Sequence, residues 1–257
     1  GTCVGELNKE GRRNLKYQMQ ALAFLCVLNF FPLHADDSGK APEDTGKASG
    51  LQSLETGGME AGETETDADR PGPSVAITFD DGPNASCTPV LLDGLKERGV
   101  KATFFVIGQN IEKDENRDII RRMYQEGHQI GNHTYSHVNL AQMSREEAHK
   151  ELDMTDALIR EITGKETEFV RPPFGAFPAD MEEELDKLYV KWTVDPLDWT
   201  TENADEIVQR VVTETEENDI ILLHDCYSSS VEAALRIIDI LQERGYEFVT
   251  VDRLLMD

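Results

Sequence analysis

The chain has 257 residues, enough for one sizeable domain, and 39% of them are hydrophobic. Its 50 aspartates and glutamates outnumber 25 lysines and arginines, which gives a net charge of −25 at neutral pH. Such a chain is a poor partner for nucleic acid or an anionic membrane surface, because both would repel it. The four cysteines include no CxxC pair, which disfavours a structural zinc knuckle.

The first segment, residues 1–35, has the pattern of an export signal. A basic stretch with Arg12, Arg13 and Lys16 precedes an apolar run over residues 21–31. A positive head followed by a short apolar stretch is typical of a signal peptide or a signal-anchor. The run is shorter than the roughly 20 residues that span a bilayer. We therefore expect an exported protein, with membrane contact through this leader only; the alternative is an amphipathic or buried helix outside the main domain.

The next segment, residues 36–72, has the composition of a linker. It is rich in glycine, threonine and acidic residues, and it carries ten acidic side chains against three basic ones. Such a stretch buries too little apolar surface to offset the entropy lost on ordering. We expect a disordered acidic linker here, followed by one folded domain over residues 73–257.

From Ser74 onward, short β-rich runs alternate with helical periods. The predicted strands are 75–79, 102–107, 128–131, 169–171, 189–194, 220–224 and 248–251. The first predicted helix opens at Thr88-Pro89, with Thr88 as its N-cap and Pro89 at its first position, and closes by Gly99. Further helices are predicted over 118–125, from a capping box of Ser144 and Glu147 to Gly164, from near Ala204, and over 231–244. This alternation predicts an α/β fold in which about seven parallel strands close into a (β/α) barrel.

Ionisable residues stand where the predicted strands end, which is where a parallel barrel carries its functional groups. The set comprises Asp80, Asp81, His133, His137, Arg171, Asp195, Asp198, His224 and Asp225. One such residue would be weak evidence, whereas the whole set predicts a polar site at one end of the barrel.

Within this set, His133 and His137 have the spacing of metal ligands. Two imidazoles four residues apart share one face of a helical turn and can bind one ion. A catalytic zinc needs a third ligand, which Asp80 or Asp81 can supply, and the other aspartate is then free to act as a general base. Thr134 stands where an HExxH peptidase has its glutamate, which disfavours that class. The simpler interpretation is two surface histidines and an Asp-Gly-Pro turn that merely ends a strand.

Five segments in order resemble the motifs of the polysaccharide deacetylases, carbohydrate esterase family four with the NodB-homology fold. They are Thr78-Phe79-Asp80-Asp81-Gly82-Pro83, His133-Thr134-Tyr135-Ser136-His137, Arg171-Pro172-Pro173-Phe174-Gly175, Asp195-Pro196-Leu197-Asp198-Trp199 and Leu222-Leu223-His224. The likeness spans about residues 74–255. It implies a distorted barrel and a metal-dependent hydrolase that removes acetyl groups from N-acetylglucosamine units of a cell-wall or chitin-like polysaccharide.

The resemblance also implies roles for the residues that would bind the metal and activate water. Asp81, His133 and His137 would be the metal ligands, with zinc as the expected ion and cobalt or nickel as alternatives. Asp80 would be the general base. Arg171 would orient Asp80 and favour its ionised form.

A second group of residues would serve the leaving group and the substrate. His224 would be the general acid, with Asp198 fixing its tautomer and raising its pKa. Phe174 would offer a backbone N–H to the oxyanion, and Trp199 and Leu222 would shape an apolar slot for the acetyl methyl. Members of the family often carry tyrosine in place of Phe174.

Two other functions remain open at this point. One is hydrolysis of a small non-sugar amide on the same barrel, and the other is a non-catalytic wall-binding module. The predicted leader and linker favour a polymer outside the cell, and the set of acid, base and metal ligands disfavours pure binding. Peptidoglycan, chitin oligosaccharide and exopolysaccharide share the scissile group, so the polymer itself is undecided.

Cys87 and Cys226 form the last predicted pair. Cys87 follows the two aspartates and Cys226 follows His224, so both loops leave the same end of the barrel. A disulfide there would join the base-bearing loop to the acid-bearing loop, and an exported protein can keep one. Two free thiols are the alternative.

Overall fold

The computed structural model describes residues 72–176, Met181 and residues 187–256. The predicted leader and almost all of the predicted linker lie outside the described residues. Within the described ranges, no helix combines the length and the apolar character needed to cross a membrane.

Seven parallel strands form one sheet. They are β1 (Ser74–Gly82), β2 (Thr103–Val106), β3 (Gln129–Asn132), β4 (Phe169–Val170), β5 (Leu188–Tyr189), β6 (Ile220–His224) and β7 (Glu247–Phe248). The order is β5-β4-β3-β2-β1-β6, and β7 pairs with the start of β1. A single bridge from Val194 to Ile221 then links the chain after β5 to β6. The result is a distorted barrel, as predicted.

Seven α-helices accompany these strands in the described residues, besides three short 3₁₀ helices. They are α1 (Thr88–Glu97), α2 (Gly108–Ile111), α3 (Asp114–Gln125), α4 (Arg145–Thr163), α5 (Ala204–Glu214), α6 (Ser228–Glu243) and α7 (Val251–Met256). The capping box of Ser144 and Glu147 at the start of α4 is confirmed, and α4 ends at a left-handed Gly164 with φ of 72°.

Alternate residues of the strands enter two different cores. Phe104 of β2 packs outward into the large cluster that the helices cover, whereas Phe105 packs inward with Phe169 and Val190. Both phenylalanines are buried. This two-sided burial explains the near-continuous apolar strands, which are typical of a parallel sheet covered on both faces.

Three local predictions are wrong. The segment 189–194 is not one strand, because the carbonyl groups of Val190 and Lys191 accept hydrogen bonds from the Arg171 side chain. Val251 begins α7 and does not end a strand. Thr88 does not cap α1, since the cap position is Cys87 and the Thr88 hydroxyl donates to Asp225 Oδ2 at 2.6 Å.

Candidate active site

The first functional turn ends β1. Asp80 is paired in the sheet with β2 and β6 and is buried, whereas Asp81 has a left-handed backbone with φ of 72°. The Asn110 side chain supports that backbone by donating from Nδ2 to the Asp81 carbonyl oxygen at 2.8 Å. Glycine follows because a Cβ at Gly82 would lie 2.5 Å from both carboxylate oxygens of buried Asp225. The turn thus allows the carboxylates of Asp80 and Asp81, although adjacent in the chain, to contact different residues.

The two histidines follow β3, but they do not lie on a helical turn as their spacing predicted. Thr134 and His137 both adopt left-handed conformations, with φ of 68° and 55°. These bends bring the Nε2 atoms of His133 and His137 to 3.3 and 3.1 Å from Asp81 Oδ1. One ligand atom from each of the three residues lies within 4.8 Å of the others. The predicted triad is therefore assembled, by a loop geometry that the spacing alone did not indicate.

These donor atoms fit a divalent cation. His133 Nδ1 lies 2.5 Å from the Arg171 carbonyl oxygen, and because a carbonyl can only accept, Nδ1 carries the proton. Nε2 then presents a lone pair towards Asp81 Oδ1, a buried oxygen without a hydrogen bond of good geometry. Two lone pairs that face each other are stabilised by a cation between them. Two imidazoles and one carboxylate suit zinc, cobalt or nickel.

The negative charge of the Asp81 carboxylate is consistent with a cation site at these three residues. Burial by itself would raise the pKa of the Asp81 carboxyl. When they are protonated, the imidazoles of His133 and His137 outweigh burial and hold that pKa well below its usual range. A cation between the lone pairs would supply the same positive charge in place of those protons. Asp81 is therefore a carboxylate whenever the protein is folded near neutral pH.

Asp80 is held by a fully buried arginine. Arg171 Nη1 donates to Asp80 Oδ1 at 2.8 Å and to the Thr78 hydroxyl at 2.7 Å. The guanidinium also lies 4.2 Å from the centre of the Phe105 ring, which faces the barrel interior. Asp80 Oδ2 remains on the side of the metal ligands, 3.7 Å from His133 Nε2. The pairing that the sequence predicted between Arg171 and Asp80 is present.

His224 is paired with Asp198 as predicted. Its Nδ1 lies 2.7 Å from Asp198 Oδ1, and its backbone N–H donates to Asp198 Oδ2 at 2.8 Å. Burial would lower the pKa of His224, but the hydrogen bond and charge of Asp198 outweigh burial and raise it to about 9. Nε2 faces the triad, 4.0 Å from Asp81 Oδ2. His224 is thus an imidazolium near neutral pH.

Exposed aromatic rings flank these polar groups. Phe174 is 68% exposed, and its ring centre lies 5.1 Å from that of His137. Tyr227, at the start of α6, lies 6.3 Å from His224 by the same measure. Trp199 is also exposed, whereas Leu222 is buried in β6. We did not predict Tyr227 as a site residue, although its position three residues after His224 could have indicated it.

The predicted disulfide is not present. Cys87 and Cys226 are both free, and the Cys87 thiol faces the Cys226 carbonyl oxygen at 3.7 Å. The two loops are neighbours as expected, but the chain places the thiol of one residue against the backbone of the other. The thiols remain protonated at neutral pH, since burial raises the pKa of Cys226 to about 12.

The fold and the site together define a (β/α) barrel with an Asp-His-His centre at the carboxyl ends of its strands. A sequence profile described as "Polysaccharide deacetylase" matches residues 67–192. A peptidoglycan-N-acetylglucosamine deacetylase of Bacillus cereus is 36% identical over 189 residues, which cover 70% of this chain and 87% of that protein. The chain belongs to the polysaccharide deacetylase family, a family of hydrolases.

Some relatives are much longer. The peptidoglycan-N-acetylglucosamine deacetylase PgdA of Listeria monocytogenes is 36% identical over 180 residues, which are 70% of this chain but only 38% of that protein. This chain therefore spans less than half the length of that relative.

Solved structures give the same picture. The peptidoglycan deacetylase PdaC of Bacillus subtilis superposes with a TM-score of 0.69 at 38% identity, over 74% of this chain and 92% of that chain. A family 4 acetyl xylan esterase of Clostridium thermocellum, in complex with a cobalt ion, has a TM-score of 0.67 at 38% identity, over 70% and 89%. Another similar structure, at 30% identity and a TM-score of 0.66 over 72% and 67%, is described as a mutant of a CE4 family pseudoenzyme.

Proposed function

We propose that this protein is a metal-dependent N-deacetylase that removes acetyl groups from N-acetylglucosamine residues of a cell-wall or chitin-like polysaccharide and releases acetate. The observation that supports it best is the presence of a complete acid and base pair around one triad. Asp80 and His224 are paired on neighbouring strands; Asp80 Oδ2 lies 3.7 Å from His133 Nε2, and His224 Nε2 lies 4.0 Å from Asp81 Oδ2.

Asp81, His133 and His137 would hold the ion. A divalent cation bound there would polarise the acetyl carbonyl and lower the pKa of water. Zinc is the ion we expect, and the cobalt ion of the xylan esterase relative supports cobalt as a substitute.

Asp80 would take the proton from the attacking water. Its Oδ1 is occupied by Arg171, so Oδ2 is the oxygen left to act as base on the side of the triad. The buried guanidinium fixes the carboxylate in one orientation and balances its charge. Water oxygen then adds to the acetyl carbon.

His224 would deliver a proton to the departing sugar nitrogen when the C–N bond breaks. With a pKa of about 9 it holds that proton at neutral pH, and Asp198 keeps Nε2–H directed at the triad. The products are acetate and a free amine. The backbone N–H of Phe174 is the donor we propose for the oxyanion, at the same edge of the site.

The polymer is inferred from the exposed rings and from the relatives. Phe174 beside His137 and Tyr227 beside His224 offer exposed apolar surfaces to sugar rings, and Trp199, next to Asp198 in the chain, is exposed as well. The named substrates of relatives are peptidoglycan and chitooligosaccharide. Such polymers lie in the cell envelope or outside the cell, which agrees with the export leader predicted for residues 1–35.

An acetyl ester is the second candidate substrate, because one similar structure is an acetyl xylan esterase. Acetate release from chitin oligomers, peptidoglycan and acetylated xylan, each with and without added zinc or cobalt, separates the candidates. We expect metal-dependent release from an N-acetylglucosamine substrate and no release by Asp80→Asn. Release from xylan alone would favour the esterase. Binding of the polymers without any release would favour a wall-binding module, and release from only a small acetylated amide would favour that third candidate.

A further inference from the structure

The loop between the two histidines is bound by one carboxylate of α4. Glu151 Oε2 accepts hydrogen bonds from the backbone N–H groups of Tyr135 and Ser136 at 3.0 and 2.8 Å. Glu151 Oε1 accepts from the Ser136 hydroxyl at 2.8 Å. A single side chain therefore satisfies three donors at the middle of the loop, and hydrogen bonds to an ionised acceptor are the stronger kind.

The other side of the same loop is bound by α2. The backbone N–H groups of Gly108 and Gln109 donate to the carbonyl oxygens of Thr134 and Tyr135 at 3.0 and 2.9 Å. Glycine is required for this approach, since a Cβ at Gly108 would lie 2.5 Å from the Tyr135 ring. The loop is thus held between backbone donors on one side and the Glu151 carboxylate on the other.

Such support is needed because the loop is strained. Thr134 and His137 are left-handed residues other than glycine, and such conformations persist only where the surroundings hold them. The Asn132 side chain supports the first bend by accepting from the Thr134 N–H at 2.8 Å. Glu151 binds the two residues that lead directly into the second bend.

The two histidines depend on this support to different degrees. His133 is buried, with 2% of its surface exposed, and its own Nδ1 is bound to the Arg171 carbonyl oxygen. The side chain of His137 is 33% exposed and lies against the ring of Phe174, which is more exposed still. The position of the His137 imidazole therefore depends on the loop backbone more strongly than the position of the His133 imidazole does.

We propose that Glu151 is a positioning residue of the metal centre. By fixing the backbone of Tyr135 and Ser136, its carboxylate places His137 Nε2 beside Asp81, and so it sets the affinity of the centre for its ion. This inference rests on the proposed metal site and adds to it a residue on a different helix, 14 positions beyond His137 along the chain.

The first test measures metal binding to the metal-free protein in the absence of substrate. Glu151→Gln keeps the size of the side chain but removes the charge and one acceptor oxygen. We expect its dissociation constant for zinc or cobalt to rise by about 10–100-fold, as for other groups that orient ligands. The absorption spectrum of the cobalt form should also change. Glu146→Gln, the same change in the first turn of α4, is the matched control and should leave both unchanged.

A double-mutant cycle shows whether the effect passes through His137. In a His137→Ala background, Glu151→Gln should no longer weaken metal binding, because the ligand that it positions is gone. An unchanged dissociation constant in Glu151→Gln, or the same fold-change with and without His137, overturns the role of Glu151.

Two further outcomes are decisive. If Glu151→Gln does not fold, Ser136→Ala decides the question, because it removes only the hydrogen bond from the Ser136 hydroxyl to Glu151 Oε1. It should weaken metal binding by a few fold, about what one lost hydrogen bond costs. An unchanged dissociation constant in Ser136→Ala overturns the proposal. A wild-type protein that binds neither ion overturns the metal site and the role of Glu151 together.

Discussion

His128 and His133 stand immediately before and after β3, both nearly fully buried, yet only His133 belongs to the site. At the first end, His128 Nδ1 accepts a hydrogen bond from the backbone N–H of Ala102 at 3.1 Å. At the second end, His133 Nδ1 donates to the carbonyl oxygen of Arg171. The two imidazoles are therefore in opposite tautomers.

The backbone group that faces each ring explains this difference. At the first end of β3 that group is the Ala102 N–H, and at the second end it is the Arg171 carbonyl oxygen. His128 therefore accepts through Nδ1, and its neutral ring keeps the proton on Nε2, which cannot bind a metal. His133 donates through Nδ1 and is left with a lone pair on Nε2. The backbone partner of Nδ1 thus decides which of these two buried histidines can be a ligand.

The largest effect should come from removing a ligand. We expect His133→Ala or His137→Ala to abolish hydrolysis and to weaken metal binding by more than the roughly 10–100-fold of a lost orienting group. His128→Gln, which keeps an acceptor for Ala102, should retain bound metal and activity. Metal content and acetate release, measured on all three variants, test the comparison. Loss of bound metal in His128→Gln would contradict the comparison between the two histidines.

The two aspartates of the β1 turn should differ next. Asp80→Asn removes the base but no ligand, so it should keep the metal and lose about 10²–10⁴-fold in kcat. Asp81→Asn should instead weaken metal binding, because its Oδ1 is the oxygen that both imidazoles face. Metal titration combined with kcat measurement distinguishes them. The reverse pattern would mean that the roles are exchanged.

The alkaline limit of activity should depend on Asp198. The proposed reaction needs His224 in its protonated form, so the rate should fall as pH rises through the His224 pKa of about 9. Asp198→Asn removes the charge that raises this pKa, while burial continues to lower it. The alkaline limb of the pH–kcat profile should therefore move down by about two pH units, towards or below the ordinary value near 6.5. A limb that does not move would argue against the pair.

The smallest effect concerns stability at the other end of β3. Burial lowers the pKa of His128 to about 4, whereas the unfolded chain has the ordinary value of 6.5. Between these values the unfolded state binds more protons, so His128 contributes stability above pH 6.5 that is lost as pH falls towards 4. The loss is up to roughly 3 kcal/mol at 1.36 kcal/mol per unit. Urea unfolding of the metal-free protein at several pH values should show that His128→Gln loses less stability than the wild type as the pH falls. Equal losses of stability in the two proteins would contradict this.

The strand–helix order, the capping box of α4 and the polar strand ends were predictable from the sequence, because each depends on residues close together in the chain. The residues of the Asp-His-His triad were predictable for a related reason. They lie at or shortly beyond the carboxyl ends of β1 and β3, and parallel strands bring these ends together whatever the details of the loops.

Other features were decided only by the tertiary structure, because they depend on partners distant in sequence. The break after β5 arises where Arg171 uses the carbonyl groups of Val190 and Lys191, and nothing local in those residues indicates it. Glu151 looks like any other glutamate on a solvated helix until α4 is packed beneath the histidine loop. The sequence by itself determined which groups gather at one end of the barrel; the packing of distant backbone groups determined their tautomers, their bends and their supports.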